Sequence, residues 1–151
     1  MEHTRVKIIR TSSLLGAVLL AGVALTGCSA MQDIKNSAAD AWKVTYEVSV
    51  DSSEPSTLTE VSYLDQASRT EKRTTVTESS VQTTPRDTGD SAWETDSLVI
   101  VGDQTKLSAT PAAGQRATCR ILLDGEREIA TNTGEPGEKV TCEATAPAFA
   151  K

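Results

Sequence analysis

The residues of this 151-residue chain that could carry out chemistry are three cysteines, one histidine and 21 carboxylates. The only histidine, His3, lies in an N-terminal segment that we expect to be cleaved. A mature chain without imidazole cannot build Ser-His or Cys-His nucleophilic devices or histidine metal sites. The sequence therefore argues against many classes of extracellular hydrolase.

Paired carboxylates remain candidates for acid and base chemistry. Asp87 with Asp90, and Glu135 with Glu138, are two such pairs. Each lies in a polar turn, where a solvated charge is the ordinary explanation. We therefore expect no catalytic residue, no metal and no cofactor, and keep an enzyme only as a third hypothesis.

The first cysteine, Cys28, follows a segment typical of a signal peptide. Three basic residues within the first ten precede an apolar run at 14–25. That run is too short to span a bilayer, which needs about 20 residues. Leu-Thr-Gly-Cys then resembles the bacterial lipobox, whose cysteine is acylated; the alternative is an ordinary secretory peptide with an incidental cysteine. We predict a cleaved lipoprotein signal peptide at 1–27 and lipidation at Cys28.

Lipidation would place the protein on the extracytoplasmic, periplasmic face of the cell membrane. Two or three acyl chains on one residue are enough for stable anchoring. Residues 28–151 contain 12 basic and 20 acidic side chains, a net charge of −8. This charge argues against nucleic acid and anionic lipid headgroups as partners, so the lipid alone would hold the protein to the membrane.

The other two cysteines, Cys119 and Cys142, form an even number in a compartment where disulfides persist. A bridge would close a loop of 23 residues, for a stabilisation of about 3 kcal/mol in the chain-entropy model. The alternatives are a metal pair, which lacks a second pair of ligands, and a redox dithiol, which lacks the Cys-x-x-Cys spacing. We predict a structural disulfide.

The elements that position these residues have the pattern of β-strands. After a small, polar tether at 28–41, residues 42–50 alternate between apolar and polar side chains. A turn at 51–56 leads into a second extended run at 58–64, which predicts a hairpin of the two runs. The threonine-rich segment that follows predicts one exposed edge strand at 70–77 and a loose loop after it.

The second half of the chain continues with short extended runs at 92–101 and 106–110. Runs at 118–123 and 139–144 each place their cysteine on the apolar face. Asp124-Gly125 predicts a turn between the first of these and another short run. About seven strands without a helical period favour an all-β fold, an immunoglobulin-like β-sandwich over 42–145, followed by a tail at 146–151.

Several blocks of the sequence resemble one family in order and spacing. They are "VTYEVSV", "VSYLD", a tryptophan before a strand in Ala92-Trp93-Glu94, "VGDQTKLSAT", "TCRILLDGEREIATNTG" and "VTCEA". Together they resemble the small MmpS-type transport accessory proteins of mycobacteria and their relatives, over roughly Val44 to Ala144. The most specific part is Cys-Arg-Ile-x-x-Asp-Gly followed by Val-x-Cys.

The resemblance implies an immunoglobulin-like β domain in which Cys119 and Cys142 match the family's cysteine pair. It also implies a non-enzymatic accessory to an MmpL-type transporter of the resistance-nodulation-division class, exporting lipids, siderophores or other hydrophobic compounds. Typical members have an uncleaved transmembrane helix where this chain has a lipobox. The alternative is a stand-alone immunoglobulin-like lipoprotein, either a surface interaction module or a carrier of an apolar ligand.

Two tryptophans, Trp42 and Trp93, are the candidate contacts with such a partner. Large aromatic side chains dominate protein interfaces, but they also dominate cores. Core packing is the ordinary role of each. The sequence does not indicate an oligomeric state.

Overall fold

The computed structural model of the protein describes residues 39–150, and this part of the chain consists of β-strands and connecting turns, without a helix. No helix long and apolar enough to cross a bilayer is found between these residues. The strands are β1 (Ala41–Val50), β2 (Thr57–Asp65), β3 (Thr74–Gln82), β4 (Thr84–Pro85), β5 (Ser91–Ile100), β6 (Gln104–Thr110), β7 (Ala117–Leu123), β8 (Arg127–Thr133) and β9 (Val140–Thr145).

The strands form two antiparallel sheets that pack as a sandwich. The five-stranded sheet has the order β4-β5-β1-β7-β8, and the four-stranded sheet has the order β3-β2-β6-β9. The predicted all-β sandwich is therefore confirmed, with nine strands rather than about seven. The polar middle of the chain contains more strand structure than predicted. A nine-residue β3 and a two-residue β4 replace the predicted short strand and loose loop.

The immunoglobulin-like character lies in the path from β1 to β6. These six strands are divided between the sheets as strands B, C, C′, D, E and F are in immunoglobulin variable domains. After β6 the path differs, because β7 returns to the five-stranded sheet beside β1. β8 extends that sheet and β9 pairs with β6.

The predicted hairpin of the first two runs is wrong. β1 and β2 belong to different sheets, so they face each other instead of pairing edge to edge. Both carry fully buried apolar side chains, Val44 and Val48 on β1 and Leu58 and Val61 on β2. A sandwich buries these two apolar faces against each other, whereas a hairpin would place them side by side.

A bulge in β2 explains why its apolar positions are three residues apart. Glu60 has a φ of 50°, and the pairing with β6 shifts between Thr59 and Ser62. The extra residue brings Leu58 and Val61 to the same inward face, since a regular strand would turn one of them outward. Alternation alone could not have indicated this.

The core between the sheets consists mainly of branched aliphatic side chains. Tyr46, Leu58, Leu107, Ile121 and Leu123 are its largest members, and each is at most 1% exposed. The inward positions predicted for β1 are confirmed from Val44 to Val50, while Trp42 is half-buried at the start of the strand. One continuous aliphatic core thus joins the two sheets.

The two ends of the sandwich differ in which connections they contain. At the proximal end, where the described chain begins, the N–H of Val101 donates to the carbonyl of Asp40 at 2.9 Å, and that of Asp124 to Lys43 at 2.8 Å. The distal end contains the loop after β1, where the N–H of Asp51 donates to the carbonyl of Arg116 at 3.1 Å. Chain entry and the contact between Trp42 and Phe149 share the proximal end.

Candidate partner-binding site

The predicted lipidation site, Cys28, lies outside the described residues, as do the signal peptide at 1–27 and most of the tether at 28–41. Lipid attachment therefore remains a prediction. The described chain begins two residues before β1.

The predicted disulfide between Cys119 and Cys142 is confirmed. Their Cα atoms are 6.0 Å apart, and the two residues are 0% and 2% exposed. Cys119 lies on β7 in the five-stranded sheet and Cys142 on β9 in the four-stranded sheet, so the bridge joins the two sheets through the core. A bond buried this deeply among apolar side chains has a structural role.

Trp93 packs into the sandwich from β5. It lies opposite Val48 of β1, and its ring centroid is 5.8 Å from that of Tyr63. Tyr63 in turn lies 5.6 Å from Tyr46, whose hydroxyl donates to the carbonyl of Leu64 at 2.7 Å. Burial raises the pKa of Tyr46 far above its ordinary value, so this hydroxyl stays protonated. Trp93 is thus half-buried in a row of three aromatic rings.

Trp42 has a different environment, at the proximal end. Its indole N–H donates to the carbonyl of Pro147 at 2.7 Å, and its ring centroid is 4.2 Å from that of Phe149. The segment after β9, predicted as a tail, therefore packs on the sandwich. Ala146 is 2% exposed, and its N–H donates to the carbonyl of Asp103 at 2.8 Å.

Phe149 was not singled out from the sequence, yet it is the most exposed large apolar side chain between residues 39 and 150, at 40%. Its own sequence, Ala-Phe-Ala, has no strand period that would indicate a packing partner. Only the fold places it on Trp42. The two tryptophans, by contrast, are not brought together, because Val48, the partner of Trp93, lies six positions along β1 from Trp42, roughly 20 Å.

A cluster of five charged residues on the outer face of the five-stranded sheet was also not predicted from the sequence. Glu47 is only 5% exposed; its two carboxylate oxygens accept from Arg86 at 3.1 Å and from Arg120 at 3.5 Å. Arg86 also pairs with Asp90, and Arg120 donates to Glu128 at 2.7 Å. These contacts depend on β1 lying between β5 and β7, which no local pattern reveals.

The cluster shifts proton affinities in the direction expected of ion pairs. Hydrogen bonding to Asp90, followed by the charge of Glu47, raises the pKa of Arg86; Glu128 and then Glu47 raise that of Arg120. Hydrogen bonds from Arg86 and Thr88 lower the pKa of Asp90 to about 2. Asp90 is therefore not the free, solvated turn carboxylate that the sequence predicted.

Replacing Glu47 by glutamine is expected to lower the free energy of unfolding by about 2 kcal/mol, because two guanidinium groups lose their shared charged acceptor. Glu94→Gln is the matched control, since Glu94 lies directly opposite Glu47 on β5 and is exposed. Urea denaturation of both variants measures the difference. Equal effects of the two substitutions would show that the ion pairs of Glu47 do not stabilise the fold.

The lowered pKa of Asp90 predicts a loss of stability in acid. A carboxylate with a folded-state pKa of about 2 contributes its full stabilisation above pH ~4 and loses it as the pH falls through about 2. In urea denaturation at pH 4, 3 and 2, Asp90→Asn should therefore lose less stability than the wild type. Asp87→Asn is the control and should retain the wild-type slope; a wild-type slope in Asp90→Asn would contradict the assignment.

An open groove of about 400 Å³ lies between β1 and β5 of the five-stranded sheet and the end of β2 in the other sheet. It is lined mainly by polar residues, among them Lys43, Gln66, Asp96 and Ser97. Lys43 pairs with Asp96 at 2.8 Å, and the N–H of Gln66 donates to the hydroxyl of Ser97 at 2.9 Å. This groove is open to solvent, unlike the enclosed cavities that bury apolar ligands.

The structure thus defines a disulfide-bonded, immunoglobulin-like β-sandwich with an aromatic pair at its proximal end, the exposed Phe149 on the half-buried Trp42. A scan against protein-family models and a search of curated proteins find no match to the chain. The resemblance to MmpS-type proteins accordingly rests on the sequence blocks between Val44 and Ala144.

Proposed function

We propose that the protein is a non-enzymatic, lipid-anchored docking module on the extracytoplasmic face of the membrane, and that it serves as the accessory of an MmpL-type transporter. The observation that supports docking is the position of Phe149. This exposed ring lies on Trp42 at the end of the sandwich where the chain enters from its N-terminal segment. The transporter class comes from the family resemblance.

The position matters because of the length of the tether. A lipid on Cys28 leaves 13 residues before β1 begins at Ala41, a reach of at most about 45 Å. The proximal end is then the part of the domain connected most directly to the bilayer. An aromatic pair there is available to the extracytoplasmic surface of a protein embedded in the same membrane.

The alternative is a stand-alone lipoprotein. Its carrier version needs an apolar cavity between the sheets, but the inward side chains, such as Val48, Val61, Leu107 and Ile121, are fully buried against one another. The interaction-module version needs only an exposed surface, which the aromatic pair and the edge strand β3 both supply. The packing therefore favours docking over ligand carrying.

Truncation of Phe149 tests the docking surface. Phe149→Ala is expected to reduce recovery of the transporter after mild crosslinking by at least tenfold, because an exposed aromatic anchor at an interface contributes about 2 kcal/mol or more. The thermal midpoint should fall by only a few degrees, since the ring packs at the surface, on Trp42, and is 40% exposed. Phe149→Tyr keeps the ring and should retain the partner; loss in both variants, or in neither, would contradict the assignment.

A further inference from the structure

One edge of the five-stranded sheet is nearly unpaired. β5 has ten residues, but β4 pairs with it only at Ser91 and Ala92. The chain that leads into β4 is β3 of the other sheet, and it crosses between the sheets at Thr83, which is 3% exposed. Between residues 39 and 150, no strand therefore occupies the position beside the remaining residues of β5, 93–100.

Backbone hydrogen bonds show which groups face this open edge. The N–H of Val101 donates to the carbonyl of Asp40 at 2.9 Å and continues the pairing of β5 with β1. The N–H of Arg86 donates to the carbonyl of Asp90 at 2.8 Å and continues the pairing of β4 with β5. Along an antiparallel strand, hydrogen-bonded and non-hydrogen-bonded positions alternate, so the odd-numbered residues of β5 face β1 with their backbone groups. Those that face the open edge are Glu94, Asp96 and Leu98.

Two grooves border the open edge and meet at Asp96. The smaller, of about 190 Å³, is lined by residues 94–96. The larger, of about 400 Å³, is lined by residues 96–98, Lys43 and the end of β2 at 65–67. Consecutive residues of a strand point to opposite faces of the sheet, so a groove lined by three in a row lies beside the edge of the strand. The space beside β5 is thus open over five residues, about 13 Å.

The carboxylates along this edge are incompletely paired. Asp96 pairs with Lys43 at 2.8 Å. Glu94 is exposed and forms no ion pair between residues 39 and 150. On β1 it lies directly opposite Glu47, and like charges in that position repel each other. A cation on the open side of Glu94 would offset this repulsion.

We propose that the open edge of β5 binds an extended segment of another protein as an additional antiparallel strand, with a lysine or arginine opposite Glu94. Backbone groups exposed at every second residue need donors and acceptors at the same spacing, which an extended polypeptide supplies. Because β4 already lies opposite Ser91 and Ala92, the basic residue is at the C-terminal end of the added strand.

A second copy of β5 is a poorer occupant of this edge. Registers centred on Glu94 or on Asp96 would place two carboxylates directly opposite each other, which is destabilising. The site requires neither the lipid anchor nor Phe149. It therefore holds or fails independently of the proposed function.

A peptide probe tests the site in the full-length chain, kept soluble with a mild detergent. The probe is an acetylated seven-residue peptide in which threonine and valine alternate and the last residue is a lysine amide. In two-dimensional NMR, the amide signals of Glu94, Asp96 and Leu98 should shift on titration, and those of β3 should not. Glu94→Gln should weaken binding about threefold and Glu94→Lys about tenfold, because the opposite charge is lost or reversed. Glu78→Gln, on the exposed edge of β3, is the matched control and should leave binding unchanged.

Methylated peptides test the backbone pairing separately from the charge. In the proposed register the threonines of the probe lie opposite even-numbered residues, so their N–H groups face β5, whereas those of the valines face solvent. N-methyl groups on two threonines should abolish binding, and N-methyl groups on two valines should change it less than twofold.

Four results would overturn the proposal. They are no shift in β5 at millimolar peptide, equal loss from the two methylated peptides, tighter binding by Glu94→Gln, and a dimer that already protects these amides without peptide. Tighter binding by Glu94→Gln would show that this carboxylate only protects the edge from other strands. A dimer would assign the edge to a second copy of the chain.

Discussion

Replacing both Cys119 and Cys142 by alanine is expected to lower the thermal midpoint of the domain by roughly 10–20 °C. The bridge closes 23 residues of chain, which corresponds to about 3 kcal/mol of stabilisation through the unfolded state. One kcal/mol shifts the midpoint of a domain of about 100 residues by several degrees. Since such domains are stable by only about 5–15 kcal/mol in total, the bridge is a large part of the stability.

The location of the bridge strengthens this expectation. It is a side-chain cross-link between the two sheets, from β7 to β9. Circular dichroism melts of residues 39–151 with and without reductant measure its contribution. Reduced wild type should match the double alanine variant, and reductant should leave that variant unchanged. A midpoint that stays the same, with both thiols free in the wild type, would show that the disulfide does not form and does not stabilise the domain.

Replacing Cys28 by serine is expected to move the protein from the membrane fraction to the soluble extracytoplasmic fraction, with at least a tenfold loss of membrane-bound protein. Residues 28–151 carry a charge of −8 and have little affinity for anionic headgroups, so under the proposed anchoring the acyl chains alone would hold the protein at the membrane. Fractionation and intact-mass spectrometry measure both properties.

The wild-type mass should exceed that of residues 28–151 by a diacylglycerol and one further acyl chain, or by the diacylglycerol alone. Cys28→Ala should behave as Cys28→Ser does, because neither side chain can be acylated in this way. An unmodified wild-type mass, or a serine variant that stays in the membrane, would contradict lipid anchoring.

What the sequence could predict was set by local alternation. The inward face of β1 from Val44 to Val50 and the placement of Cys119 and Cys142 on apolar faces follow from a period of two residues, and the structure confirms both. The Asp124-Gly125 turn also follows from local chemistry, since both residues have a positive φ, which asparagine, aspartate and glycine tolerate best.

What the sequence could not predict depends on which strands are neighbours. The wrong hairpin of β1 and β2 has this cause, because the same apolar pattern fits a strand that pairs edge to edge and one that faces its neighbour across the core. Glu47 and Arg120 lie 73 positions apart in the chain and meet only because β7 pairs with β1. Likewise, the contact between Phe149 and Trp42 joins two residues far apart in the chain, so it could not be predicted from local sequence.

Photo-crosslinking in living cells tests whether the proximal end of the domain contacts a transporter. A photoreactive phenylalanine analogue at Phe149 probes the proximal end, and the same analogue at Ser53, exposed in the loop after β1, probes the distal end. Mass spectrometry then identifies the crosslinked proteins. We expect an MmpL-type transporter to be crosslinked from position 149 and to be absent from position 53. No transporter from position 149, or equal capture from both positions, would contradict it.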